Sequence, residues 1–138
     1  MTIQQTQTTS FKKELYQGIH DLSTDHIYIA LYTANASLNQ DTTVYSSTNE
    51  ITGTGYTAGG QQLLSPVISS SGYTAYVTFA NASWSGALTA RCALIYNASK
   101  ANRAIAVLDF GSNKTSTTTF TVTMPANTAT AALIRSSN

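Results

Sequence analysis

The stretch Leu88-Thr-Ala-Arg-Cys-Ala-Leu-Ile-Tyr-Asn97, followed after a short turn by Ala104-Ile-Ala-Val-Leu-Asp-Phe110, decides the fold class. In its first part, every second residue from Leu88 to Tyr96 is apolar, which is the two-residue period of a β-strand. Its second part is a nearly continuous apolar run, typical of a central strand covered on both faces. The residues between them, Asn97-Ala-Ser-Lys-Ala-Asn102, are mostly turn formers. The pattern predicts two strands joined by a turn.

The same two-residue period recurs on both sides of this stretch. Strands are predicted over residues 27–32, 61–68, 75–79, 120–124 and 131–135, and a short one is considered around Val44 and Tyr45. In the first of them, Ile27, Ile29 and Leu31 alternate with Tyr28, Ala30 and Tyr32, which predicts one aliphatic and one aromatic face. Pro66 indicates an edge or a bulge in the second.

One segment near the start of the chain has a helical period instead. Phe11, Leu15, Ile19 and Leu22 are spaced i, i+4, i+8 and i+11, so they form one apolar stripe on a helix. Ser10 precedes them and is a suitable N-cap. We predict a helix over residues 11–22 that closes an open end or a face of the β domain.

The strand spacing predicts the fold class. Short strands at about ten-residue intervals, separated by turns rich in Asn, Ser and Gly, are typical of an antiparallel sandwich or barrel. We therefore predict a mainly β protein, an antiparallel β-sandwich or barrel of about seven to eight short strands with one N-terminal α-helix. The 138 residues fit a single domain. Residues 10–138 are assigned to it, and residues 1–9 are predicted to be a flexible polar arm.

The composition points to protein contacts rather than to nucleic acid or membranes. Only 9% of the residues are charged, against about 25% in an ordinary soluble domain. Thr, Ser, Asn and Gln therefore supply the polar surface, and their groups cost less to desolvate than charged ones. The formal net charge is +1 and the basic residues are dispersed, which argues against nucleic acid and anionic membrane as partners. We find no apolar run long enough to span a membrane.

The one cluster of titratable residues in the sequence is His20, Asp21, Asp25 and His26. Imidazole and carboxylate groups bind metals, so a site there is conceivable. The sequence contains no third histidine, however, and His20 and Asp21 would point about 100° apart on a helix. We interpret these residues as solvent-facing groups at the end of the helix. No metal site and no cofactor is predicted.

Nucleophilic and phosphate-binding sites are also considered. Cys92, the single cysteine, lies in an alternating strand, which favours a buried and inert thiol. A Ser/His/Asp triad would need a nucleophile turn such as Gly-x-Ser-x-Gly, which the sequence does not contain. The glycines of Gly53-Thr-Gly-Tyr-Thr-Ala-Gly-Gly60 match no phosphate-loop spacing and predict a turn with positive-φ positions. No catalytic or cofactor-binding residue is predicted.

Two further groups of residues have alternative interpretations. Asp109 lies inside an apolar strand, so it is expected to be buried beside Arg91 or Arg103 in a structural salt bridge. Trp84 and the eight tyrosines would suit a carbohydrate-stacking face, but core packing and interface anchoring are each favoured over it.

Several segments resemble a family of small bacteriophage proteins. They are Thr9-Ser-Phe-Lys-Lys-Glu-Leu-Tyr-Gln-Gly-Ile-His20, Ile29-Ala-Leu-Tyr-Thr33, Asn49-Glu-Ile-Thr-Gly-Thr-Gly-Tyr-Thr-Ala-Gly-Gly60, Ala90-Arg-Cys-Ala-Leu-Ile-Tyr-Asn97 and Ala104-Ile-Ala-Val-Leu-Asp-Phe-Gly111. Proteins of this kind are encoded among the virion structural genes of tailed phages and have no known catalytic residues. The resemblance implies a virion component, made in the host bacterial cytoplasm, that is not an enzyme.

Within the virion, a head decoration (cement) protein bound outside the capsid shell is the first expectation. Its partners would be the major capsid protein and other copies of itself as a homo-oligomer. The arm of residues 1–9 and the long loop of residues 33–60 are the expected contact elements. A tail, neck or baseplate component and a host-surface or glycan-binding module are the alternatives.

Overall fold

The computed structural model describes residues 3–137, and in it the prediction of a mainly β fold with one N-terminal helix is confirmed. Ten strands and one helix lie within these residues. In chain order they are β1 (Thr6–Gln7), α1 (Thr9–Tyr16), β2 (Ile27–Tyr32), β3 (Gln61–Gln62), β4 (Val67–Ser71), β5 (Thr74–Thr78), β6 (Ala82–Ser85), β7 (Thr89–Asn97), β8 (Arg103–Thr115), β9 (Thr119–Val122) and β10 (Ile134–Ser136).

The strands form three antiparallel sheets. A five-stranded sheet has the order β1-β8-β7-β2-β3, a three-stranded sheet the order β10-β5-β4, and a two-stranded sheet pairs β6 with β9. The apolar stretches of residues 88–97 and 104–110 supply most of β7 and β8, the central hairpin of the largest sheet. Ala104 to Leu108 of β8 are all buried, as expected for a central strand covered on both faces.

The large sheet has a separate apolar cluster on each face. Ile27, Ile29 and Leu31 of β2 belong to the main core, whereas Ala30 and Tyr32 belong to the second cluster. The main core also contains residues of α1, β6, β9 and β10. Both small sheets and the helix thus pack on one face of the large sheet, which makes the fold sandwich-like.

The first part of the long loop of residues 33–60 covers the other face, whereas Ile51 and Tyr56 near its end pack with the main core. Ala36 and Leu38 are buried on this other face, and Tyr45 stacks on Tyr96 with ring centroids 4.7 Å apart. The short strand considered around Val44 is a single bridge from Val44 to Arg103. The loop therefore buries this face of the sheet through its side chains, without forming a β-ladder of its own.

The prediction of a flexible N-terminal arm is wrong from Ile3 onward. Ile3 bridges to Leu38, β1 pairs with β8, and the Thr8 side chain is fully buried. The cause is that β8 would otherwise present an open edge, and polar residues such as Thr6 and Gln7 suit a short edge strand. Met1 and Thr2 lie outside the described residues.

The helix is shorter than predicted and begins earlier. Thr8, not Ser10, is the N-cap, and its Oγ1 accepts a hydrogen bond from the backbone N–H of Phe11. At the other end, Gly18 has a φ of 70°, and Ile19 donates its backbone N–H to the Glu14 carbonyl. This is a Schellman termination, which needs the left-handed residue that glycine supplies.

Several predicted strand boundaries also move. Residues 61–68 split into β3 and the start of β4, because Ser65 has a φ of 56° and Pro66 follows it. Strand β8 extends beyond the predicted apolar run to Thr115, with a shift in its register with β7 between the Cys92–Asp109 and Ala90–Lys114 pairs, where Gly111 has a φ of 85°. Strand β6 was not predicted, because its four residues are too short to establish a period.

Candidate functional site

The residues just beyond α1 form a buried polar network. The His20 side chain is fully buried, with Nε2 2.8 Å from Glu14 Oε1 and Nδ1 3.0 Å from Asn97 Nδ2. The interpretation of His20 as a solvent-facing group is therefore wrong. The Schellman turn folds the chain back, and the imidazole packs against the Phe11 ring at a centroid distance of 5.0 Å.

Asn97, which is also fully buried, fixes the tautomer of His20. Its Oδ1 accepts the Ser99 backbone N–H at 3.0 Å, and its Nδ2 donates to Asp25 Oδ2 at 2.8 Å. The second hydrogen on Nδ2 is left for His20 Nδ1, which must act as acceptor. The imidazole therefore donates from Nε2 to Glu14.

Asp25 connects this network to the β7–β8 turn. Lys100 Nζ lies 2.8 Å from its Oδ2. Burial opposes ionisation of Asp25, but hydrogen bonds from Asn97 and Lys100 outweigh that effect and lower the pKa of the carboxyl to about 2. Glu14 is paired in the same region with Arg103, at 3.1 Å.

The four residues considered as metal ligands do not converge on one point. His20 and Asp25 belong to the network, Asp21 accepts hydrogen bonds from Ser23, and His26 Nδ1 lies 2.9 Å from Gln62 Nε2. Within residues 3–137, no group of three or more His, Cys, Asp or Glu side chains has a metal-binding arrangement. The arrangement joins α1 to the large sheet rather than leaving ligand atoms free.

The other residues considered for catalysis or phosphate binding are buried, ion-paired or part of a turn. Cys92 is fully buried, and burial raises the pKa of its thiol to about 12, so the thiol is protonated near neutral pH. Asp109 pairs with Arg91, one of the two expected partners, but its side chain is 24% exposed, so the expectation that it is buried is wrong. The glycine-rich segment is the predicted turn: Gly60 has a φ of 79° and passes so close to the Ile29 carbonyl that no Cβ fits.

A second cluster of ionisable groups anchors the long loop. The Glu50 carboxylate accepts hydrogen bonds from Tyr45 Oη at 2.6 Å, Tyr56 Oη at 2.5 Å and the Gly59 backbone N–H at 2.8 Å. Burial, then the hydrogen bond and negative charge of Glu50, raise the pKa of Tyr45 far above its usual range. Burial and the same charge raise the pKa of Tyr96 to about 12.

Most large aromatic side chains are unavailable for stacking on a sugar. Trp84 is buried in the main core, 6.3 Å from the Phe120 ring, and Tyr32 is buried in the second cluster. Tyr16 and Tyr73 are the exceptions, with 91% and 94% of their surface exposed. The first ends α1, and the second lies in the turn between β4 and β5.

The surface feature that sequence reasoning missed is the absence of charge from one layer. No Asp, Glu, Lys, Arg or His stands between Glu50 and Arg91, or between Lys114 and Arg135. These two segments supply β4, β5, β6 and β9, which we call the uncharged layer. The charged residues lie in α1, the loops, β7, β8 and β10. Two of them border the layer: Arg135 of β10 pairs with Tyr76 of β5, and Lys114 of β8 donates to the Thr121 carbonyl of β9. The signal was present in the sequence as two long uncharged runs.

The uncharged layer exposes hydroxyl and apolar groups together. Ser83 and Ser85 are the outward residues of β6, whereas Ala82 and Trp84 are buried beneath them. At the other end of the layer, Leu64 is 60% exposed, Val67 47% and Ile68 56%. Side chains of these kinds are desolvated at lower cost than charged ones, so the layer is the candidate interaction surface.

Two cavities lie near these features. A small apolar groove of about 130 Å³ separates α1 from the three-stranded sheet and is lined by Phe11, Leu15, Ile68 and Val77, among others. A larger, polar groove of about 510 Å³ lies within the long loop, beside Asn35, Thr42 and Thr48, among others.

Comparisons with known proteins add no assignment. The chain matches no protein-family model, no curated protein and no solved structure. Among residues 3–137, no helix is both long and apolar enough to cross a bilayer. Function therefore has to be inferred from the surfaces and buried clusters of this chain.

Proposed function

We propose that the protein is a structural component of a bacteriophage virion, and in the first place a decoration protein that binds the outside of the capsid shell. The observation that carries the proposal is the uncharged layer formed by β4, β5, β6 and β9. A protein that docks repeatedly on a lattice must desolvate one face in every copy. Hydroxyl and aliphatic groups lower the cost of that step.

The ionisable residues support assembly over catalysis. His20 has both ring nitrogens hydrogen-bonded, Cys92 is buried in the sheet, and Asp109 is paired with Arg91. Each of these three side chains is thus hydrogen-bonded, ion-paired or buried within the fold, which accounts for its position without a catalytic role. The segments that resemble small virion proteins of tailed phages point in the same direction.

The expected contact elements change with the structure. Residues 3–9 are bound to β8 and Leu38, and the loop of residues 33–60 covers the large sheet. Both elements are engaged within the protein itself. We therefore place the contact with the major capsid protein on the uncharged layer, and other copies of the chain complete the cover.

Lysine substitutions on the uncharged layer test the proposal. Val67→Lys and Ser85→Lys each add one charge at an exposed position, the first on β4 and the second on β6. Binding to shells of the phage's major capsid protein is expected to weaken at least about tenfold, because the added charges must be desolvated. Gln40→Lys, at an exposed position of the long loop, is the matched control and should bind as the unmodified protein does. Unchanged binding of both layer variants would overturn the assignment of this surface.

A glycan-binding module is the second candidate, and the exposed rings of Tyr16 and Tyr73 favour it. Stacking of a sugar on a solvent-exposed ring is a common way to bind carbohydrate. Binding on a glycan array that is lost in Tyr16→Ala or Tyr73→Ala would support this candidate. Binding only to capsid shells would eliminate it.

A further inference from the structure

Strand β4 is one of the two edges of the three-stranded sheet; at the other edge, β10, the Arg135 carbonyl accepts a hydrogen bond from Gln7 Nε2. The β4–β5 hairpin pairs Ser71 with Thr74 across a two-residue turn, then Ser70 with Ala75, then Ser69 with Tyr76. Hydrogen-bonded pairs alternate along an antiparallel ladder, so Ser69 and Ser71 direct their backbone groups toward β5. Ile68 and Ser70 direct theirs away from it. Within residues 3–137, no hydrogen bond to another segment satisfies these outward groups.

Protein edges are usually protected against pairing by charges, by bulges or by covering segments. No charged residue lies in β4 or β5, and Pro66 precedes the strand rather than interrupting it. Within the part of the chain that the structure describes, no further strand pairs with this edge. The edge is therefore open to another strand.

Ile68 shows that the cover over this end of the core is incomplete. It pairs with Val77, so the two side chains lie on the same face of the sheet, and Val77 packs against the main core. Ile68 nevertheless remains 56% exposed beside the apolar groove next to α1, where Leu15 is 38% exposed. An added strand beyond β4 would bury this side chain.

We propose that β4 pairs with β4 of a second copy of this chain, antiparallel and about a twofold axis. The register is self-complementary: Ile68 of one copy faces Ser70 of the other, and Ser69 faces itself on the axis. The backbone N–H and C=O groups of Ile68 in one copy then form hydrogen bonds with those of Ser70 in the other. Because the strand carries no charge, the twofold brings no like charges together. The two three-stranded sheets become one continuous six-stranded sheet.

This inference rests on the proposed function in that it names the self-contact of the virion component. It fails separately, because self-association is measured on the isolated protein and capsid binding on shells. A protein that dimerises and does not bind shells would keep the β4 contact and lose the virion assignment. A monomer that binds shells would do the reverse.

Proline at Ser70 tests the contact without disturbing the hairpin. The Ser70 N–H points away from β5, so Ser70→Pro removes a donor of the proposed contact and leaves the β4–β5 ladder intact. Sedimentation velocity over a wide concentration range should show a dimer for the unmodified protein and for Ser70→Ala. The dissociation constant of Ser70→Pro should be at least about tenfold higher. A monomeric unmodified protein, or a proline variant that dimerises equally well, would overturn the proposal.

A cysteine on the twofold axis tests the register. In the proposed pairing the two Ser69 Cα atoms form a non-hydrogen-bonded pair, about 4.5 Å apart, which a disulfide spans. Ser69→Cys should therefore form a disulfide-linked dimer rapidly under mild oxidation. Ser85→Cys, exposed on β6, is the control and should not. Equal cross-linking of both variants would place the contact elsewhere and contradict the β4 pairing.

Discussion

The Nδ1 atom of His20 accepts a hydrogen bond from the side-chain amide of Asn97 at 3.0 Å, and this pair joins the end of α1 to the central hairpin. The amide also donates to Asp25, whose carboxylate binds Lys100 in the β7–β8 turn. One buried asparagine thus sets the ring orientation of the histidine and the position of the aspartate.

Removal of the Asn97 amide is expected to destabilise the fold. Asn97→Ala leaves the buried His20 Nδ1 without its donor and removes one donor from Asp25, and a buried group left unsatisfied costs about 1–3 kcal/mol. The free energy of unfolding, measured with urea, should fall by about 2 kcal/mol or more. Asn113→Ala, at an exposed position of β8, is the control. Equal stability of the two variants would show that the network does not stabilise the fold.

Acid should weaken the Asp25 interactions. Burial opposes ionisation of Asp25, but hydrogen bonds from Asn97 and Lys100 outweigh it and lower the folded-state pKa to about 2, below the unfolded value near 3.9. The carboxylate therefore stabilises the fold above about pH 4, and its contribution is lost as the pH falls toward 2. Lys100→Met removes one of the groups that lower the pKa of Asp25, so the loss of stability should begin at higher pH. Urea unfolding measured at a series of pH values checks this. Lys12→Met, an exposed lysine of α1, should not. Parallel pH profiles for both variants would contradict the assigned role of Lys100.

The Cys92 thiol is expected to be unreactive in the folded protein. It is fully buried, and burial raises its pKa to about 12, so little thiolate forms at pH 8. An aromatic disulfide reagent should label it only after unfolding, whereas Ser85→Cys adds a thiol that reacts at once. Rapid labelling of Cys92 in the native protein would show that the large sheet opens far more readily than its burial implies.

The Glu50 carboxylate is expected to hold the long loop against the large sheet. Glu50→Ala removes the acceptor of Tyr45, Tyr56 and the Gly59 backbone N–H. We expect faster amide hydrogen exchange across residues 33–60 and a loss of about 1–3 kcal/mol in unfolding free energy. Asp41→Ala changes an exposed carboxylate of the same loop and serves as the control. Exchange that rises equally in both variants would argue against the role of Glu50.

The sequence predicted the elements that have a clear period. The alternation from Leu88 to Tyr96 and the apolar run after it became β7 and β8, and the two faces of β2 entered the two apolar clusters. Predictions failed where tertiary contacts decide the structure. Thr6 and Gln7 carry no apolar pattern, and they form a strand because β8 offers them an edge.

Prediction of the candidate site was limited by the same cause. His20 and Asn97 are 77 residues apart in sequence, so their contact depends on how the chain folds. Asp109 and Arg91 could be paired because both lie in strands with a readable period. The two long uncharged runs of the sequence indicated the uncharged layer, but its location on β4, β5, β6 and β9 required the sheet arrangement.

Analysis of purified particles of a phage that encodes this chain tests the central claim most directly. Mass spectrometry should find the chain in gradient-purified virions in many copies, and cryo-electron microscopy should show matching density outside the capsid shell. Density on the tail, neck or baseplate would keep a structural role and contradict the decoration assignment. Absence of the chain from intact virions would contradict the account as a whole.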